Sequence, residues 1–362
     1  MGRCASAMCR LADLIKIKII MQKKFKATRI ALRVLSGLSL FSLALTGHAA
    51  MSGVELVNNT DWVMGGAPNM RDTGVGTINL NSPSLVSGAS ISKAYLYWAG
   101  PTSNASDTAN ASVLFNSEEV IGTNIGFSHD NNWEYANSQA YRADVTSKIF
   151  GLAAGLNTFS LANFIKGPFD ENTGAPEVNV NGASLLILFN DGNSLNDRDL
   201  LIFGGNDSNV ASGYDGYGWG VTVNGVQWSG SPNAYLHLGV SDGQQSLVDD
   251  TLTLNGNPLP GASWGGDSIL GGSPTFGLWD LASWNISSLM TPGSNDLTLF
   301  TGVAKAGFDP LNPESPLYDY TSLIHGFIDL PADSYAVPEP TTVISGLVFA
   351  GLFGARLLRR RR

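Results

Sequence analysis

The sequence predicts an all-β protein made of tandem β-sandwich domains, jelly-roll or Ig-like, and three observations predict it. Gly, Asn, Ser, Asp and Thr punctuate short β-branched and aromatic runs across residues 51–336, the composition of a sandwich rather than a helical bundle. Between the two ends no segment sustains a 3.6-residue apolar period, a single turn at 146–150 apart. Several strand-like segments also recur at a nearly fixed spacing, which marks a duplication.

The first half offers strands at GTINLN (76–81), KAYLYWAG (93–100), SVLFN (112–116), NTFSLANF (157–164), ASLLILFN (183–190) and DLLIFGG (199–205). The second offers GVTVNGVQW (220–228), AYLHLGV (234–240), DTLTLNG (250–256), NDLTLFTGV (295–303) and SLIHGFIDL (322–330). Leu185, Ile187 and Phe189 make one strand face apolar, and Leu186 and Leu188 do the same for the other. Such a strand belongs at the centre, covered on both sides. NTFSLANF instead alternates, with Phe159 and Leu161 set against Thr158 and Ser160.

Four matches fall in one order at offsets of 138 to 140 residues: Ala94 on Ala234, Asn116 on Asn255, Gly155 on Gly293 and Phe189 on Phe327. Each is weak alone, but their common offset is hard to obtain by chance. The chain of 362 residues, long enough for two or three domains, divides accordingly. Residues 1–50 are leader, 51–212 and 213–336 the two copies, and 337–362 a tail.

The ends read as addresses. After Lys23, Lys24, Lys26, Arg29 and Arg33 comes a twelve-residue apolar stretch, 34–45, then Gly47, Ala49 and Ala50. This is the layout of a secretory signal peptide, with cleavage expected after Ala49 or Ala50. Residues 1–20 are an upstream extension, and Met21 is an alternative start. Near the C-terminus, 341–358 give about eighteen mostly apolar residues, among them Thr341, Val343, Ile344, Leu347, Val348, Phe349, Leu352 and Phe353. That suits one membrane helix. Arg356, Arg359, Arg360, Arg361 and Arg362 follow, and the positive-inside rule keeps them cytoplasmic.

Val337, Pro338, Glu339 and Pro340, then one apolar helix, then a terminal arginine cluster, resemble the PEP-CTERM sorting signal of Gram-negative bacteria that make extracellular polysaccharide. The resemblance covers about 26 residues. It implies an exosortase-type membrane protease as partner, only transient residence in the inner membrane, and delivery to the cell surface or matrix after cutting near Pro338–Pro340. The body is similar, more loosely, to adhesin-like β-sandwich domains of bacterial surface proteins.

Charge and cysteine narrow the partners. Of 21 basic and 30 acidic residues, 7 and 29 fall within 51–340, and a surface so acidic disfavours nucleic acid. Both cysteines, Cys4 and Cys9, lie in the leader, which excludes a disulfide scaffold or a thiolate site in the body.

Four constellations bear on chemistry. GASWG (261–265), with Asp280 and His325 downstream, has the order of a hydrolase triad. It lacks the strand before and the helix after that a nucleophile elbow needs, and His325 aligns with Ile187 in a core strand. His129, His237 and His325 form no close pair, which argues against zinc. Asp191, Asn193, Asp197 and Asp199, with Asn196, crowd one loop, and such hard oxygen donors suit structural Ca²⁺; they also satisfy turn backbones on their own. Ca²⁺ is the one cofactor the sequence suggests. Trp133, Tyr135, Tyr214, Tyr217 and Trp219 sit among Asn, Asp and Gly, where a flat ring can stack on a sugar; aromatic rings also cap sandwich cores.

These readings give a non-enzymatic exported protein of the cell surface or extracellular matrix, associated with polysaccharide, biofilm or adhesion. The alternatives are a secreted carbohydrate-active or ester hydrolase and a structural coat subunit.

Overall fold

The computed structural model describes residues 51–71, 73–82, 89–102, 106–128, 137–150, 152–164, 178–209, 218–245, 247–266, 277–302 and 318–335. The leader, the Pro-Glu-Pro motif, the apolar tail and the arginine cluster lie outside these residues, as do Trp133, Tyr135, Tyr214 and Tyr217. No described helix is long and apolar enough to cross a membrane.

The described chain is all-β and antiparallel throughout its named strands. Its first half runs β1 (Met51–Ala67), β2 (Gly76–Ser82), β3 (Ser90–Thr102), β4 (Ser112–Phe115), β5 (Glu118–Ile121), β6 (Thr123–Ser128), β7 (Asn137–Asp144), β8 (Gly155–Ala162) and β9 (Gly182–Asn190). Its second runs β10 (Arg198–Ser208), β11 (Gly220–Trp228), β12 (Tyr235–Ser241), β13 (Thr253–Leu254), β14 (Asn257–Pro258), β15 (Trp279–Asn285), β16 (Gly293–Phe300) and β17 (Ser322–Pro331). One 3₁₀ turn in each half, Thr146–Lys148 and Ser287–Leu289, is the sole helical structure among the described residues.

One sheet has nine strands in the order β15-β12-β17-β10-β1-β9-β3-β7-β6, and two more have four, β2-β8-β4-β5 and β11-β16-β13-β14. Strands in a sheet lie about 4.8 Å apart, so β3 and β17 would be roughly 19 Å apart were the large sheet flat. Yet Tyr97 of β3 stacks on His325 of β17 with ring centroids 4.3 Å apart. The sheet therefore folds over, and it does so at β1. Residues 51–60 of that strand pair with β10 and residues 61–67 with β9. Between them Asn59 takes a left-handed backbone (φ 52°), and its N–H is held by Asp199 Oδ1 at 3.0 Å.

The result is four layers with three apolar seams. Ile78, Phe115, Phe159 and Leu161 of the first small sheet meet Leu96, Trp98, Leu185 and Ile187 of the first wing. Tyr97, Leu186 and Leu188 meet Leu200, Ile202, Ile324 and Phe327 across the fold between the wings. Phe203, Leu236 and Ile328 of the second wing line a third seam with Val221, Leu254, Leu297 and Leu299. Leu185, Leu186, Ile187 and Leu188 are all fully buried, as expected of a strand covered on both faces. Burying four such side chains contributes roughly 6–12 kcal/mol before entropy is charged. At the wing seam a Cβ on Gly182 would stand 2.5 Å from Trp279 Cβ and 2.6 Å from Ala67 O, so only glycine fits.

The two halves repeat one connection pattern. In the second, the wing holds strands first, eighth, third and sixth in chain order and the outer sheet second, seventh, fourth and fifth. The first half follows the same order from β1, with β6 added at the edge. Local bonds repeat with it. Asn116 Oδ1 accepts from Ser160 N at 2.9 Å and Asn255 Oδ1 from Thr298 N at 2.7 Å, and both asparagines have φ 51°. Thr146 Oγ1 caps Ala94 N, and Ser287 Oγ caps Ala234 N, each at 2.9 Å. The pairings correct the division at 212/213: β10 pairs with β17 and takes in the second half the place β1 takes in the first, so the repeat restarts near Arg198.

Candidate functional site

Equivalent positions at one end of the two halves carry different chemistry. The ladders pair Gly100 with Gln139 in the first half and Val240 with Asp280 in the second, which makes Gln139 the counterpart of Asp280. By the same alignment Thr102 corresponds to Asp242, Asn110 to Asp249 and Asn179 to Asp319. Four neutral polar residues are replaced by four aspartates.

In the first half these residues line a crevice with Trp98 and Tyr141 and close it themselves. Trp98 Nε1 donates to Asn110 O at 3.0 Å, Asn110 N to Tyr141 Oη at 3.3 Å, and Tyr141 Oη to Gln139 Oε1. Val180 N donates to Asn179 Oδ1 at 3.2 Å. An amide both donates and accepts, so such a group can satisfy itself.

In the second half carboxylates stand there. Asp319 Oδ2 accepts from Gln244 N at 2.6 Å, Asp249 Oδ2 from Trp264 N at 3.0 Å and Asp280 Oδ2 from Gly266 N at 2.9 Å. Arg71 reaches over from the first half to pair with Asp242 at 2.6 Å and also donates to Asn181 Oδ1. The Oδ1 atoms of Asp249 and Asp319 are buried and have no hydrogen-bond partner. Burial, with Asp249, Asp242 and Asp280 adding to it against the Gln244 N–H, pushes the Asp319 carboxyl up to about 8. Burial raises Asp249 as well.

The residues singled out in the sequence fall elsewhere. In the 191–199 loop, Asp191 N donates to Asp61 Oδ2 at 3.2 Å and Asn196 Nδ2 to Asp61 Oδ1 at 2.6 Å. Asn193 N closes an Asx turn on Asp191 Oδ1 at 2.7 Å. Burial, with Asp191 and Asp197 nearby, raises Asp61 to about 6. Asp199 turns away and binds the N–H groups of Asn59 and Tyr335, each at 3.0 Å. The loop therefore gathers Asp61, Asp191 and Asp197 and leaves Asp199 out. Among the described residues no three His, Cys, Asp or Glu side chains are placed as ready-made ligands of a metal ion.

Trp219 needs a correction as a sugar contact. Its ring is fully buried, its Nε1 donates to Thr321 Oγ1 at 3.1 Å, and it packs on Trp264, so it offers no face to a ligand. Ser263, of the GASWG motif, lies beside Asp249, while His325 Nε2 lies 2.6 Å from Ser184 Oγ. Burial alone lowers His325 to about 3. It is a neutral core residue.

A second histidine, His237 of β12, has richer company. His237 Nδ1 lies 2.6 Å from the Oγ of Ser283, its exposed partner in the β12–β15 ladder. Its Nε2 is 3.7 Å from Asp329 Oδ2, and Arg198 pairs with the same carboxylate. Trp62 donates Nε1 to Asp329 at 3.2 Å and sets its ring 4.5 Å from the imidazole. Burial lowers His237, opposed by Asp329. An exposed hydroxyl thus faces a neutral imidazole, although Ser283 sits mid-strand, without the turn that projects a nucleophile in hydrolases.

No family model matches the chain, and no curated relative does. Among solved structures it is similar to a β-porphyranase of glycoside hydrolase family 86 from the human gut bacterium Bacteroides plebeius, at 9% identity and TM-score 0.21 over 79% of this chain. It is also similar to a peptide-N(4)-(N-acetyl-β-D-glucosaminyl) asparagine amidase, at 10% identity and TM-score 0.22 over 77% of this chain and 97% of the amidase. The chain spans 37% of the length of the porphyranase. At such scores neither likeness supports an argument.

Proposed function

We propose that the protein is exported and sorted to the cell surface or extracellular matrix through a C-terminal PEP-CTERM signal, and that its body is a non-catalytic double jelly roll associating with extracellular polysaccharide. The observation that carries this reading is the tail, Val337–Pro340 followed by an apolar stretch and Arg359–Arg362. The repeated strand order supports the jelly-roll assignment, since two four-stranded sheets wound in this order make that fold. A body with its acidic residues outside the membrane and its arginines inside suits the same topology.

The test is the mature protein recovered from producing cells. Mass spectrometry should find an N-terminus at Ala50 or Met51 and a C-terminus near Pro338–Pro340. Replacing Pro338, Glu339 and Pro340 with alanine should hold the chain in the membrane. A surface protein that still carries Arg362 rules the sorting step out, and failure to bind the producer's own polysaccharide at millimolar sugar removes the glycan role.

The hydrolase alternative has one specific observation in its favour, the Ser283–His237–Asp329 row. Purified protein that cleaves ester substrates and loses that turnover on Ser283→Ala would make it the better reading.

A further inference from the structure

We infer that the aspartate group of the second half, centred on Asp249 and Asp319, binds a divalent cation of the calcium type. An ionised carboxylate accepts hydrogen bonds and donates none, so four of them cannot satisfy one another, whereas in the first half Gln139 also donates, to Ser106 O, and Asn110 donates to Asn179 O at 3.5 Å. Asp249, Asp280 and Asp319 each give one oxygen to a main-chain N–H and Asp242 gives one to Arg71, and at Asp249 and Asp319 the second oxygen is left over.

Two further observations point to a ligand. Asp319 is 1% exposed, yet its Oδ1 has no partner, and neither has the Oδ1 of Asp249. Among the described residues Arg71 is the one cation paired with the group, and it engages Asp242 from the side. The duplication then serves as an internal control: the same scaffold with Thr102, Asn110, Gln139 and Asn179 closes without any added charge. The substitution to Asp at all four positions makes an ion useful in one half only.

Oxygen-only donors select a hard cation, and calcium accepts two carboxylates completed by carbonyl oxygens and water. No third carboxylate has to converge on it, which agrees with the absence of a ready-made three-ligand set among the described residues. The inference is independent of the sorting reading.

The experiment uses full-length protein at pH 8, stripped with EDTA and titrated with CaCl₂, with thermal unfolding followed by circular dichroism. Binding in the range of extracellular modules, about 0.1–1 mM, should raise Tm by several degrees at 10 mM calcium. Asp319→Asn, which installs the first half's residue, should abolish the rise or weaken the midpoint at least tenfold, and Asp249→Asn should do the same. Asp191→Asn, in the other acidic loop, should leave it intact. Terbium luminescence sensitised by Trp264, whose N–H bonds Asp249, reads the site directly and should fall as calcium competes. Equal Tm in EDTA and calcium together with no terbium signal overturns the inference. So does a calcium response that survives Asp319→Asn and disappears in Asp191→Asn.

Discussion

The two halves of this protein share a strand order, a 3₁₀ turn and many individual hydrogen bonds, yet at corresponding ends one is closed by amides and the other by carboxylates. The comparison separates what a fold requires from what it tolerates. The scaffold requires a polar plug at that end, because main-chain N–H groups such as those of Val180 and Gln244 need acceptors there. It does not require charge. A carboxylate supplies the acceptor and brings an excess of negative potential that must be met by protons or by an ion.

The largest way to break the comparison is at the seam the halves share. Leu186 is fully buried between the wings, and Leu186→Asp places an unpaired charge there, at a cost above about 4 kcal/mol. Against a typical total of roughly 5–15 kcal/mol, the first half should unfold. Far-UV circular dichroism distinguishes two outcomes. Loss of the whole β signal means the halves form one cooperative unit, while retention of about half of it means the second half stands alone.

A reciprocal exchange sharpens the contrast at the ends. Asn179→Asp should destabilise by about 2 kcal/mol, since it puts a carboxylate among groups already satisfied. Asp319→Asn, measured in EDTA at pH 8, should stabilise. If both substitutions act in the same direction, the two ends are not chemical opposites.

The pH dependence is smaller, and its sign follows from the shifts. Asp319 rises from 3.8 in the unfolded chain to about 8 when folded. The folded state therefore binds the extra proton in that window, and stability falls as pH rises through it. His325 acts oppositely. It drops from 6.5 to about 3, so stability rises with pH between those values. Well above 6.5 this histidine is neutral in both states and adds no slope, while Asp319 still does. In EDTA, Tm should decline by a few degrees between pH 6.5 and 8, and Asp319→Asn should flatten the slope.

All eleven strand candidates exist in the structure, because runs such as Leu185–Phe189 state their burial by pattern. β1 escaped because Asn58-Asn59-Thr60 has turn composition, whereas here it bends one strand from sheet to sheet. β7 and β15 escaped because polar residues interrupt them (NSQAYRAD and WDLASWN), although both are paired along their whole length. The aspartate group was not legible as a motif. Its members at 242, 249, 280 and 319 are scattered along the chain, and only the fold gathers them. One signal was available: aligning the copies sets Asn110 on Asp249 and Asn179 on Asp319, a run of neutral-to-acid exchanges at matching positions.

The smallest effect tests whether the likeness between the halves extends to energetics. Asn157 Oδ1 accepts from Ala153 N at 2.9 Å and its Nδ2 donates to Ala153 O at 2.8 Å. Asn295 makes the same two bonds with Thr291, each at 2.8 Å. Both side chains pin the turn that enters the seventh strand of their repeat, beside Gly155 (φ 94°) and Gly293 (φ 104°). Each pair of bonds lies near the surface, so replacement by alanine should cost about 1 kcal/mol. The turns are far apart in sequence and share no partner in these bonds, so the double variant should lose the sum of the two. Chemical denaturation of the two single variants and the double variant settles it. Equal and additive losses mean the repeat is conserved in energy as well as in shape. A loss confined to one half would place the functional divergence of the copies beyond the carboxylate end, in the turns themselves.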